Sequence, residues 1–128
     1  MDKEKNNIMS RHFRFESLQI WQEAVAVGDD LFNLADTLEK RKYFRFAEQL
    51  RGATLSISNN IAEGSGDDSD KEFRRFLKYA RRSAFECANI VIICQRRGYL
   101  NKEERESCYE RLDILCRKIQ NFRKALNK

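Results

Sequence analysis

The chain has 128 residues, 41% hydrophobic and 35% charged, which suits one domain with a buried core rather than a disordered chain. With no proline and five glycines it offers few tight turns, which argues against many-turned sheet folds. Lys and Arg outnumber Asp and Glu by 25 to 20, a net charge of +5 and a pI near 9.1. That excess permits a nucleic acid or another anionic partner without requiring one.

Residues 1–15 read as a flexible N-terminal arm ending in the aromatic pair Phe13 and Phe15, and residues 16–128 as the folded domain. The arm lacks the apolar stretch of a signal peptide. The longest apolar run, Ala88–Cys94, contains Asn89 and is far too short to span a bilayer. A cytoplasmic protein without membrane contact is expected.

A first helix is predicted from about Ser17 to Glu39. Leu18, Trp21, Val25, Gly28, Phe32, Ala35 and Leu38 recur every three or four residues, the mark of one buried face. Its other face is acidic, and Lys40-Arg41-Lys42 then places positive charge where a C-terminal helix dipole favours it. A second helix is predicted over about Tyr43 to Glu63, with Phe46, Leu50, Ala53, Ile57 and Ile61 inward. Beside that face runs a polar row: Gln49, Ser56, Asn60 and Glu63, with Arg51 nearby. Gly64 suits a left-handed C-cap.

The third helix opens on Ser69-Asp70-Lys71-Glu72, which matches a capping box with Ser69 as N-cap and Glu72 reaching back. Phe73, Phe76, Leu77, Ala80, Ala84, Cys87, Val91 and Cys94 form its inner face, and Gly98 stops it. The fourth helix follows Asn101, with Glu104 in the box position. Its seam is Leu112, Leu115, Ile119, Phe122 and Leu126. Four helices of similar length with short connections give an all-α, up-down-up-down antiparallel four-helix bundle.

Several segments together resemble a known family. They are Phe15-x-x-Leu18-x-Ile20-Trp21-x-x-Ala24, then Gln49-Leu50-Arg51-x-Ala53-x-x-Ser56-Ile57-x-x-Asn60-Ile61-Ala62-Glu63-Gly64. Phe73-x-x-Phe76-Leu77-x-x-Ala80, Ser83-x-x-Glu86 and Gly98-Tyr99-Leu100 follow. The chain is similar to the four-helix-bundle family encoded in intervening sequences of 23S rRNA genes, often labelled ribosomal proteins. The resemblance covers about Phe13 to Ala125. It implies a short-looped bundle that assembles into a homopentamer. It also implies likeness to the basic accessory proteins of diversity-generating retroelements, which bind nucleic acid and a reverse transcriptase. The family commonly has Gly-Ser before the third-helix Glu, where this chain has Arg82-Ser83. That arginine either alters a close helix contact or extends a basic surface.

The charge is unevenly spread: residues 17–40 sum to −4, residues 69–98 to +5 and residues 99–128 to +3. On the third helix Lys71, Arg74, Arg75, Lys78, Arg81 and Arg82 align in one stripe opposite the core. Arg74, Arg75, Lys78, Arg81 and Arg82 are the nucleic-acid candidates, since such a row can neutralise phosphates. A solvated face, or docking on the acidic first helix of a neighbouring subunit, explains the row equally simply. The polar row Gln49, Arg51, Ser56, Asn60 and Glu63, with Gly64, reads as a hydrogen-bonded structural network or as a pocket for a ligand or partner.

No enzyme constellation is present, and no cofactor is expected. The only histidine, His12, lies in the arm, away from any positioned nucleophile. Cys87, Cys94, Cys108 and Cys116 form no Cys-x-x-Cys pair, so they read as reduced core residues and no metal site is expected. Ile90–Ile93 covers more than one helix face, and Tyr43, Phe44, Phe46 and Tyr99 cluster near helix ends, which predicts a homo-oligomer. The expected function is a non-enzymatic oligomeric scaffold or binding module with RNA or DNA affinity. The alternative is a protein-interaction module, with an unidentified protein partner, that binds no nucleic acid.

Overall fold

The computed structural model of the chain describes residues 13–126, so most of the arm, His12 included, lies outside the described residues. A 3-10 turn over Arg14–Ser17 leads into α1 (Gln19–Lys40), α2 (Phe44–Ser65), α3 (Asp70–Arg96) and α4 (Lys102–Ala125). Each helix packs on its neighbours in sequence, and α4 closes the ring against α1. The result is the all-α antiparallel four-helix bundle. At about 1.5 Å per residue the helices are roughly 33 to 40 Å long.

The core is continuous from Ile20 to Ile119. On α2, α3 and α4 the expected faces are the buried ones, apart from Phe46, Phe76, Phe122 and Leu126, which sit half-buried at their edges. On α1 the inner face is rotated from the expected one. Gly28, Ala35 and Leu38 are buried as expected, but Ile20, Ala24, Val27, Leu31 and Leu34 complete the face, whereas Leu18, Trp21 and Phe32 are half-buried and Val25 is exposed. Helix α1 carries apolar residues on more than one stripe. The bulkier aromatic stripe mimics a core, while branched and small side chains fit the closely packed centre.

The chain's first described residues dock rather than hang free. Phe13 and Phe15 stack at 5.5 Å, and Phe15 packs on Trp21 at 4.9 Å. The Arg14 guanidinium lies 5.1 Å from the Phe73 ring centroid and donates to the Ser65 carbonyl at 3.4 Å.

The glycine reading of α2 needs correction. Gly64 lies inside the helix, which ends one residue later with Gly66 in the right-handed region at φ −83°. It is needed for a close crossing instead. A Cβ there would fall 2.7 Å from Phe76 Cβ and 2.8 Å from Phe73 Cδ1. The α3 cap also differs in part. Ser69 Oγ accepts from the Glu72 N–H at 3.3 Å, but the Glu72 carboxylate turns to Arg75 and Asp67 takes the Ser69 N–H at 2.8 Å. The box at Asn101 and Glu104 is complete.

Candidate nucleic-acid interface and polar row

The basic row of α3 is divided by its surroundings. Its edge nearest α4 is taken up by packing. Arg74 donates to the Leu126 carbonyl at 2.9 Å, while Arg123 donates to the Arg74 carbonyl at 3.2 Å, so the two arginines tie the start of α3 to the end of α4. Arg81 lies over the Phe85 ring at 4.7 Å, and its Nε is buried without a hydrogen-bond partner. Arg75 grips Glu72 through two nitrogens, donates to the Tyr79 hydroxyl at 3.1 Å and covers the Phe76 ring. Those bonds, the Glu72 carboxylate first, hold the Arg75 guanidinium charged far above its usual range. Lys71, Lys78 and Arg82 are exposed, and among the described residues none has a carboxylate within ion-pair distance. Arg82 does not enter a helix crossing; Ser83 takes that contact, so the arginine lengthens the basic surface.

The acidic side of α1 is engaged within the chain. Glu23 pairs with Lys118 at 2.6 Å, and Asp30 pairs with Arg111. Asp36 and Glu39 hold Arg51 at 2.8 and 2.7 Å. These contacts join α1 to both of its neighbours, which removes much of the charge that a second subunit's α3 would have met.

The polar row also separates into parts. Arg51 gathers Asp36, Glu39 and Glu48, and those hydrogen bonds raise its pKa from an already high value. Asn60 donates within α2 to the Ser56 carbonyl and Oγ at 2.8 and 3.0 Å. The crossing to α3 runs through the Ser83 hydroxyl, which donates to Ser56 Oγ at 2.8 Å. Asn60 therefore orients the bridging hydroxyl and does not itself span the helices. Gln49 and Glu63 are exposed, away from that network. Sequence reasoning missed Thr54, buried in the same helix, whose hydroxyl donates to the Leu50 carbonyl at 2.6 Å and lies 3.7 Å from Cys87 Sγ.

All four cysteines are free thiols in the core. Burial first of all pushes Cys87 up to about 12 and Cys94 and Cys108 up to about 11, and it raises Cys116 as well. Thiols held neutral in this way are poor nucleophiles and poor metal ligands. No cluster of three or more His, Cys, Asp or Glu able to hold a metal occurs among the described residues. Among the same residues no helix is long and apolar enough to cross a membrane.

A groove of about 300 Å³ runs between α3 and α4, lined by Phe85, Ala88, Ile92, Tyr109, Leu112 and Cys116 among others. Phe85 is 54% exposed and Tyr109 37%, although both are large apolar rings. The sequence held a signal for it: Phe85 lies four residues after Arg81, on the outer stripe rather than the core stripe. Of the aromatics expected to drive assembly, Tyr43, Phe46 and Tyr99 instead pack on one another within the chain.

Comparison with known proteins agrees with this geometry. The family model of the 23S rRNA-intervening sequence protein matches residues 16–121, and the chain belongs to that family. The structure is similar to the crystal structure of a protein of unknown function from the S23 ribosomal protein family of Bacteroides thetaiotaomicron. The TM-score is 0.78 at 22% identity, over 82% of this chain and 98% of that one. No curated protein matches the chain.

Proposed function

We propose that the protein is a non-enzymatic homo-oligomeric scaffold, which associates through the α3–α4 groove and holds RNA or DNA by the outer cations of α3. The observation that carries this reading is the division of the basic row. Lys71, Lys78 and Arg82 point into solvent with no carboxylate partner among the described residues, and Arg75 stands beside them with its plane fixed. Such a row neutralises phosphates without base-specific contacts, so binding is salt-dependent and weak in sequence preference. The exposed Phe85 and Tyr109 supply the apolar centre of a subunit contact. The family resemblance makes the homopentamer the expected assembly, in a cytoplasmic setting.

A salt titration of RNA binding tests the nucleic-acid reading. Lys71→Gln/Lys78→Gln/Arg82→Gln is expected to weaken binding and flatten the salt dependence by about 0.7 per lost contact on a single strand. Unchanged binding favours the second reading, a protein-interaction module without nucleic acid, whose partner is unidentified. The internal use of Arg74 and Arg75 is what favours that alternative. Light scattering tests assembly. A wild-type mass near 15.2 kDa would refute it, and Phe85→Glu is expected to release monomers.

A further inference from the structure

The α1–α2 and α3–α4 turns lie at the same end of the bundle and are built alike. In the first, Lys42 adopts a left-handed φ of 70°, its N–H bonds to the Glu39 carbonyl, and the Tyr43 N–H bonds to the Leu38 carbonyl. In the second, Gly98 has φ 79°, its N–H bonds to the Gln95 carbonyl, and the Tyr99 N–H bonds to the Cys94 carbonyl. Both are the same left-handed helix cap, followed by a tyrosine. The two tyrosine rings stack at 3.8 Å and lock one turn against the other. Arg41 reinforces the joint by donating to the Tyr99 carbonyl at 2.7 Å and pairing with Glu104.

The two turns also repeat a sequence: Lys40-Arg41-Lys42-Tyr43 and Arg96-Arg97-Gly98-Tyr99. Stacking them brings Lys40, Lys42, Arg45, Arg96, Arg97 and Lys102 to one end, all exposed. Among the described residues none of these six has a carboxylate within ion-pair distance. The nearby acids Glu39 and Glu48 are held by Arg51, and Glu104 by Arg41. An antiparallel bundle places two helix N-termini and two C-termini at each end. The macrodipoles therefore offset one another, and side-chain charge sets the potential. At the opposite end the α2–α3 loop carries Asp67 and Asp68, and α3 opens on Asp70. The outer cations of α3 begin beside those carboxylates, whereas at the tyrosine end Glu39, Glu48 and Glu104 are held by Arg51 and Arg41, leaving Glu103 next to Lys102. Phe44, flanked in the chain by Lys42 and Arg45 at this end, has 58% of its surface exposed.

We propose that this tyrosine-locked end is a binding site for single-stranded nucleic acid, with the six cations on the phosphates and Phe44 as the ring on which a base stacks. Phosphate charge alone would fit any polyanion. The exposed ring among the cations is what favours a strand with unpaired bases, because base–aromatic stacking accepts every base and needs it unstacked. The site is distinct from the α3 row and does not depend on it.

The probe is a fluorescein-labelled 20-nucleotide oligouridine, followed by anisotropy between 50 and 200 mM KCl, with inorganic polyphosphate as competitor. Lys42→Gln/Arg45→Gln/Arg96→Gln, all exposed and unpaired positions, is expected to lower affinity about tenfold or more and to reduce the salt slope by roughly 2. Phe44→Leu is expected to weaken oligouridine about tenfold at unchanged salt slope and to leave the polyphosphate affinity unaltered. Thermal melts of each variant confirm that the bundle is intact. The site is refuted if the triple variant binds as wild type, or if only the Lys71, Lys78 and Arg82 variant loses binding. Loss confined to the tyrosine-end variants refutes the α3 interface instead. An equal effect of Phe44→Leu on polyphosphate would overturn the stacking role.

Discussion

Replacing Gly64 by alanine sets two opposed effects against each other. Inside a helix the substitution gains about 0.8–1 kcal/mol of propensity. Against that, the new methyl would meet Phe76 Cβ at 2.7 Å and Phe73 Cδ1 at 2.8 Å. Neither atom yields easily. Phe76 Cβ is fixed to the α3 backbone, and Phe73 is fully buried with its ring against Phe122 at 5.5 Å. Overpacking of this kind costs about 1–3 kcal/mol, and two contacts this short place it at the upper end. The expected net loss is about 1–2 kcal/mol, a fall in Tm of roughly 5 °C for a domain of this size. Gly52 supplies the control. It lies in the same helix, exposed, with nothing within 4 Å of an added Cβ. Gly52→Ala is therefore expected to raise Tm, by about 0.5–1 kcal/mol of stability. Thermal denaturation followed by circular dichroism reads both. A Gly64→Ala protein that melts at or above the Gly52→Ala protein would refute the close crossing.

Other expectations follow from the core and the caps. Ser83→Ala is expected to cost about 0.5–1.5 kcal/mol. In the Ser56→Ala background the loss should shrink, and strictly additive losses in urea melts would remove the bridging bond. Above the ordinary thiol value of 9.0 the unfolded cysteines ionise while the buried ones do not. Stability is therefore full below pH 9 and falls above it by about 1.4 kcal/mol per thiol per pH unit. Cys87→Val should make that alkaline slope shallower, and an unchanged slope would count against the buried thiol. The Asn101 N–H first, and Arg41 next, hold the Glu104 carboxyl below its usual range. Its contribution is present at neutral pH and is lost as pH falls through that lowered value. Glu104→Ala should thus cost about 1 kcal/mol at pH 7, and less as pH falls below the ordinary carboxylate range.

The helices were legible because each carries a clear apolar periodicity and the last two begin on strong caps. Helix α1 was misread in rotation, since periodicity reports that a stripe exists without ranking two competing stripes by how closely a neighbour can approach. Gly64 shows a related gap: a glycine near a helix end has the same sequence appearance whether it caps the helix or admits Phe73 and Phe76. The basic row was visible as a row. Its division was not, because the partners of Arg74 lie 49 and 52 residues away, at Arg123 and Leu126. The pairing of Ser56 with Ser83 depends likewise on helix register between two segments. Register comes from packing, and no local pattern in either helix states it.

Phe73 is the meeting point of the two ends of the described chain. Arg14 lies over its ring, Phe122 packs against it, and the neighbouring Arg74 holds the Leu126 carbonyl. Arg14 and Leu126 thus lie close together, on the side of the α2–α3 loop. A peptide joining them can be short, so a circular permutant opened between Gly66 and Asp68 should retain the fold.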